Sequence, residues 1–387
     1  MQFRRGADVA APANRFRENR VSEQRVSPAP RRVARWALYL PYILLLVLAA
    51  GVSAFWFIAR DRVDDAVDAW LTTEAGRGRQ WTCPDRALSG FPLRFEISCT
   101  RPTFDGRLGD GRRIQGEMAS FRAVAQIYDP NLVVLDFTGP VTVREEGRPE
   151  AFRLGWEGFS LSVRRTAKAF SRLSVYMKKP VLAVLDSNGG ETLLGRAEAW
   201  EAHVRPDPAA SGDQEMWDVA SQLVKATAPA ADALLGNPAP ANIELQAGLD
   251  HAGVFVKGAG PAQIDAWRAA GGRLKVALLK LTRGDQIIEA RGELGVDDLR
   301  RLSGQLDMKA AGVSELLARF TGRRGGMGGL LAGGLAMLGG GQGAQRPGDA
   351  ADGQPPAPAL TPMPPLVFAD GRLMIGPFPV MRLSPLY

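Results

Sequence analysis

Few residues in this chain could do chemistry. Cys83 and Cys99 are the only thiols, and His203 and His251 the only imidazoles, among 387 residues. The cysteines bracket the segment "CPDRALSGFPLRFEISC". Paired, they would close a loop of about 16 residues and stabilise the fold by about 3 kcal/mol through chain entropy. Two reduced, buried thiols are the alternative. A metal site is weaker, because neither histidine lies near them in sequence. His203 stands between Ala202 and Val204 in an alternating stretch, on the polar face of a strand, and His251 in "LDHAG" reads as a turn residue. Folding could bring Asp285, Glu289 and Glu293, or Asp297 and Asp298, together as a glycosidase-type pair, but such sets arise in any soluble domain. No G-x-S-x-G, H-E-x-x-H, G-x-x-x-x-G-K-[ST] or C-x-x-C occurs. The expectation is a non-enzymatic protein with no catalytic residue, no metal and no cofactor.

The formal net charge of +7 invites a nucleic-acid reading, but its distribution argues otherwise. Arg4, Arg5, Arg15, Arg17, Arg20, Arg25, Arg31, Arg32 and Arg35 face only Asp8, Glu18 and Glu23 in the first 35 residues. The rest of the chain is close to neutral. A basic tail on a neutral body reads as a topology signal, not as a nucleic-acid surface.

That signal precedes "WALYLPYILLLVLAAGVSAFWFIA", Trp36 to Ala59, which contains no charge. As a helix it would extend about 36 Å, enough for a hydrocarbon core of about 30 Å. Trp36, Tyr39 and Tyr42 at one end and Phe55, Trp56 and Phe57 at the other suit headgroup depth. The flank "RDRVDDAVD" is net acidic, so the positive-inside bias leaves the N-terminus in the cytoplasm and exports the chain beyond residue 60. A signal peptide cleaved after "VSA" (Val52 to Ala54) is the rival, with an unusually long n-region and apolar stretch. A buried core helix is the other. Export to an oxidising space makes the Cys83–Cys99 pair a disulfide.

The expected organisation has five parts: a disordered basic tail over 1–34, a transmembrane helix over 35–60, a β-rich body over 61–321, a Gly/Pro-rich flexible linker over 322–364, and a C-terminal hairpin over 365–387. Beyond the span, Val63, Val67, Trp70 and Leu71 fall on one helical face, which predicts that the helix continues outward and docks. In "FPLRFEISC", Phe91, Leu93, Phe95, Ile97 and Cys99 alternate with polar residues, the signature of a strand with one buried face. Similar alternation recurs in "SFRAVAQIY", "AFRLGW", "FSLSV", "RLSVYM", "EAWEAHV", "NIELQAGL", "RLKVALLKL", "QIIEARGEL" and "GQLDM". The fold class is mainly β: an N-terminal transmembrane helix, then a large antiparallel, curved meander with a few helical inserts.

One insert is expected at 206–242, where Met216, Ala220, Leu223 and Val224 lie near one helical face, and a short helix at Gly312 to Phe320. The linker carries "GGMGGLLAGGLAMLGGG", whose alternative is a membrane-dipping or ligand-clamping loop with G-x-x-x-G spacing at Gly325, Gly329 and Gly333. "ADG" between "LVF" and "RLMIG" marks the final hairpin.

The membrane span, "W-x-C-P…SGFPLRFEISC" and the ending "FADGRLMIGPFPVMRLSPLY" together resemble the alphaproteobacterial domain-of-unknown-function family numbered 2125. The likeness runs over about 35–387 and is most specific at Gly90, Phe91, Pro92, Leu93 and Arg94, flanked by Cys83 and Cys99. That family has no assigned activity, so the resemblance implies architecture and location. "GELGVDDLRRLSGQLDMKAAGVSELL" is also similar to strands of the AsmA-like envelope proteins, which implies lipid handling between membranes.

The reading is then a single-pass bacterial inner-membrane protein, held through residues 36–59, with a periplasmic body that maintains the envelope by contacting a lipid or an envelope protein. The apolar sheet face either forms a groove for acyl chains or is closed as a core by a second sheet or a packed helix, and periodicity does not separate the two. The alternative is a periplasmic scaffold that docks a protein partner without lipid, and a hidden hydrolase ranks below both. Nucleic acid is not an expected partner.

Overall fold

The computed structural model describes residues 35–107, 111–166, 170–210, 216–235, 237–258, 260–313 and 359–387. The expected tail at 1–34, nearly all of the expected Gly312–Phe320 helix and most of the expected linker lie outside these residues. The chain divides into two compact units, Met1–Gly51 and Val52–Tyr387.

In the first unit a 3-10 turn, Arg35–Leu38, leads into helix α1 (Leu40–Gly76). Leu40 to Gly51 are exposed on every side. Such a surface is costly in water and suits hydrocarbon. Helix α1 is long and apolar enough to cross a membrane.

In the second unit the same helix carries a stripe. Val52, Trp56, Ala59, Val63, Val67, Leu71 and Glu74 are half-buried or buried, at three- and four-residue spacing, while their neighbours other than Ser53 are exposed. The expected docking face is therefore present at Val63, Val67 and Leu71, but not at Trp70, which is exposed, and it starts earlier, at Val52. Gly78, at φ 74°, stops the helix, its N–H bonding back to Ala75 O at 2.9 Å.

The body is one large antiparallel sheet that does not close. It opens with short strands β1 (Arg79–Thr82) and β2 (Ala87–Ser89), then β3 (Arg94–Thr100) and β4 (Thr103–Arg107). Two long strands come next, β5 (Arg113–Gln126) and β6 (Asp129–Glu145), and they fork the sheet. The first half of β5 pairs with β4 and its second half with β3. A register shift between Met118 and Ser120 marks the branch, where Ala119 O accepts the Arg101 N–H at 2.8 Å. β6 changes partner around Gly139 and Pro140. Trp156 covers this point so closely that a Cβ on Gly139 would stand 2.9 Å from the indole.

One branch runs from β6 through β7 (Ala151–Gly155) to β10 (Val181–Leu185) and β11 (Glu191–Arg196). The other runs from β6 to β8 (Gly158–Arg165), β9 (Phe170–Lys178) and β12 (Ala199–Pro206). From β12 the chain meanders through β13 (Trp217–Ala226), β14 (Ala241–Leu249), β15 (Leu274–Arg283), β16 (Gln286–Val296) and β17 (Leu302–Ala311), each pairing with the next. β18 (Thr361–Ala369), β19 (Arg372–Ile375) and β20 (Phe378–Arg382) finish the sheet on the edge of β17. Short helices α2 (Pro229–Leu235) and α3 (Pro261–Ala269) interrupt the meander.

The helical insert expected at 206–242 is corrected. Trp217–Ala226 is a central strand, and only α2 is helical there. Trp217, Val219, Ser221 and Leu223 turn inward, and Ser221 hides the alternation from a hydrophobicity reading. Its hydroxyl is accommodated: it accepts the Trp200 indole N–H at 3.1 Å and donates to Glu201 O at 3.1 Å. The expected linker is shortened at its far end, because β18 already begins at Thr361. Phe91 and Leu93 are also corrected. They belong to an exposed turn, and the strand begins only at Arg94.

Candidate functional site

Cross-strand register lines up the inward residues into apolar rows, interrupted in the second only by Ser221. One row passes from Cys99 through Phe121, Phe137, Phe159, Met177, Trp200, Leu223, Ile243, Leu281 and Ile288 to Ala310. A second passes from Ile97 through Ala123, Leu135, Leu161, Val175, Ala202, Ser221, Leu245, Leu279 and Ala290 to Met308. A third begins at Phe95, Ala125, Val133 and Val163 and ends at Val276, Gly292 and Leu306. At about 4.8 Å per strand the rows extend about 48 Å across the sheet.

The opposite face is predominantly polar over the same strands, with Val124, Val134 and Ala220 among its apolar members. Arg122, Asp136, Ser160, Tyr176, Glu201, Gln222, Glu244, Lys280, Glu289 and Lys309 succeed one another in register. Ser160 donates to Asp136 at 2.6 Å, and Lys280 pairs with Glu289 at 3.1 Å.

The apolar face is incompletely covered. Val276, Ala290 and Leu306 form a buried cluster. Phe121, Phe137, Phe159, Leu161, Val175, Leu223, Ile243 and Leu245 are only partly buried. In a sandwich a second sheet would bury them. A contiguous apolar surface left only partly buried is the candidate binding face of this chain.

At the fork the face deepens into a cavity of about 550 Å³. Val67, Trp70 and Leu71 of α1 form one wall, Trp81 and Phe104 a second, and Phe121, Leu135, Phe137, Val141 and Val143 the floor. Trp81 joins the walls, its ring 6.1 Å from Trp70 and 4.5 Å from Phe104. Phe121, Phe137, Ala123 and Leu135 belong to the cavity and to the rows, so the two are continuous.

Polar clamps hold α1 on the sheet, and one of them, Arg86, also lines the cavity. Arg86 pairs with Asp64 at 2.8 Å and with Asp68 at 2.6 Å. Buried Glu74 accepts bonds from Arg79 at 2.5 and 2.6 Å and from Arg77 at 3.1 Å. The Trp56 indole N–H donates to Arg94 O at 2.9 Å, and its ring stacks on Phe95 at 5.9 Å. Cys83 and Cys99 form a disulfide that ties the loop after β1 to β3 beside the cavity. Asp85 lies beside the two sulfurs, but both are consumed in that bond.

The remaining candidates do not converge. His203 is exposed on the polar face, Nδ1 3.0 Å from Ser174 Oγ, as its sequence position implies. His251 is a turn residue with φ 50°. Asp297 pairs with Arg301 at 2.8 Å and Asp298 with Arg268 at 2.5 Å, and Glu289 is already held by Lys280. Where charge does gather, it is structural. The Arg113 guanidinium, helped by Gln115, holds the Asp105 carboxyl below its ordinary range.

The alternating strands and the cysteine pair were readable in the sequence. β6 was not, because Leu132 to Leu135 is an unbroken apolar run that conceals its period. The cavity walls Trp81 and Phe104 sit in short strands with no alternation to detect.

A family profile described as "Uncharacterized protein conserved in bacteria (DUF2125)" matches residues 56–384. The chain belongs to the DUF2125 family. The match begins at Trp56, the residue that packs α1 on the sheet, so the DUF2125 region comprises the docked part of α1 and the whole described sheet. It includes the Gly90–Arg94 segment that carries the resemblance. No curated protein and no solved structure matches the chain.

Proposed function

We propose that this DUF2125 protein is a single-pass anchored envelope protein that holds lipid acyl chains on the apolar face of its sheet. The carrying observation is the set of three apolar rows about 48 Å across, only partly buried and backed by a predominantly polar face. An acyl chain is long, narrow and unbranched, and matches a surface with the same lack of polar features. The cavity under α1 supplies a deeper seat, lined almost entirely by apolar atoms. Helix α1 supports an anchor in the bilayer from which such chains come. The arginine-rich flank supports a cytoplasmic N-terminus, and the disulfide supports a periplasmic body. The work done is binding: the face excludes water from the chain and leaves a headgroup at its rim.

The test is lipid content and its location. The full chain, extracted in mild detergent, is analysed by mass spectrometry for bound lipid. A photo-crosslinking amino acid is then placed at Leu161 or Leu245 on the apolar face, and at Ser160 on the polar one. Lipid adducts at 161 and 245 but not at 160 are expected. Lipid-free protein with a stoichiometric protein adduct at 161 would replace this reading with that of a scaffold.

A further inference from the structure

The turn at Phe91–Leu93 exposes two large apolar side chains where solvent would disfavour them. Phe91 is 53% and Leu93 58% exposed, and neighbouring Phe57 of α1 is 54% exposed. The turn is not loose. Gly90 O accepts the Arg94 N–H at 3.1 Å, Leu93 O accepts the Ile127 N–H at 3.0 Å, and Trp56 binds Arg94 O. The second of these bonds ties the turn to the β5–β6 connection, which carries Tyr128 at 74% exposure.

The position of the turn along α1 gives it meaning. The Phe91 ring lies 5.5 Å from Trp56 and 5.9 Å from Phe57. Both partners fall in the last turn of the uncharged stretch that ends at Ala59, just before Arg60. A side chain packed on a helix shares the depth of the residue it touches. If α1 crosses a bilayer, the one premise taken from the proposed function, Phe91 stands at the level where the span meets the headgroups. Aromatic rings are favoured at that depth.

We propose that the Phe91–Leu93 turn, together with Phe57 and Tyr128, inserts into the interface of the same bilayer that α1 crosses. This second contact has a consequence for the site. Phe95, which begins the third apolar row, stacks on the same Trp56 ring. Inserting the turn therefore holds the first edge of the apolar face against the leaflet, and an acyl chain can pass onto it without crossing water.

Depth measurement tests this in the full chain, reconstituted in vesicles of phosphatidylethanolamine and phosphatidylglycerol. Both native cysteines are bonded, so a nitroxide at Leu93→Cys or Tyr128→Cys reports one site, with Ser160→Cys as the aqueous control. Tyr128 is mostly exposed, so its variant remains informative should Leu93→Cys disturb folding. Several-fold greater broadening by lipid-soluble oxygen than by a water-soluble nickel chelate is expected at 93 and 128, with the reverse at 160. Chelate accessibility at 93 and 128 equal to that at 160 would overturn the insertion, and so would shielding from both reagents, which indicates a protein partner. Either result with lipid still bound to the face would remove the docking turn and leave the acyl-binding reading intact.

Discussion

At the scale of single residues, the most demanding position is Gly90. Its φ is +104°, and a Cβ there would stand 2.6 Å from Arg94 O and 2.8 Å from Arg94 Cγ. Gly90→Ala is therefore expected to lower stability by about 1–3 kcal/mol, read as a lower urea midpoint at unchanged slope. A second residue-scale outcome concerns acid. The Tyr387 hydroxyl, 2.7 Å away, then Arg300 and Arg268, hold the Asp265 carboxyl below its ordinary range. A depressed folded value stabilises above the unfolded aspartate value of about 3.9 and is lost as pH falls through the lowered one. Asp265→Asn should flatten the acid limb of the unfolding midpoint as pH falls below the unfolded value of about 3.9, and an unchanged limb would contradict the assignment. Gly90 was visible in the sequence as part of a motif, but its strained backbone was not. Tyr387 and Asp265 are 122 positions apart, and no local pattern joins them.

At the scale of elements, α1 and the sheet are separate pieces held by a few long-range bonds. The Cys83–Cys99 bridge, with a separation of 16, should contribute about 3 kcal/mol. Cys83→Ala/Cys99→Ala should show that loss in chemical unfolding, and Arg86→Ala a smaller one, because its partners Asp64 and Asp68 are largely exposed. β16 and β17 meet through Gly292 and Gly304, at φ 152° and 130°, where a Cβ would collide with the opposite strand's carbonyl. Elements were legible wherever one face alternated cleanly. β8, β9, β12 and β14 to β17 all fall on alternating segments. The misread strand, β13, carries Ser221 in its inward set, and an inward serine is tolerated only because Trp200 and Glu201 satisfy it. That compensation comes from the neighbouring strand, out of reach of any local window.

At the scale of the whole DUF2125 region, the property that matters is continuity of the apolar rows. Leu161 lies mid-row and is only partly buried, so Leu161→Lys should cost about 1–2 kcal/mol of stability. Bound lipid should nevertheless fall several-fold, because a charge would interrupt the dry path. Ser160→Lys, on the polar face, should leave lipid content unchanged. Equal lipid in both variants, quantified against protein, would show that the rows do not hold the chain.

The sequence by itself determined an apolar helix, a pair of cysteines separated by 16 positions and a series of strands each with one apolar face. Those features arise from composition and from periods of 3.6 and 2, which are local. Tertiary structure alone decided which strands are neighbours. β6 skips β7 to reach β8, β9 skips two strands to reach β12, and β5 and β6 each divide between two partners. Register between distant strands is set by their joint packing and hydrogen bonding, and it alone turns eleven short stripes into a face.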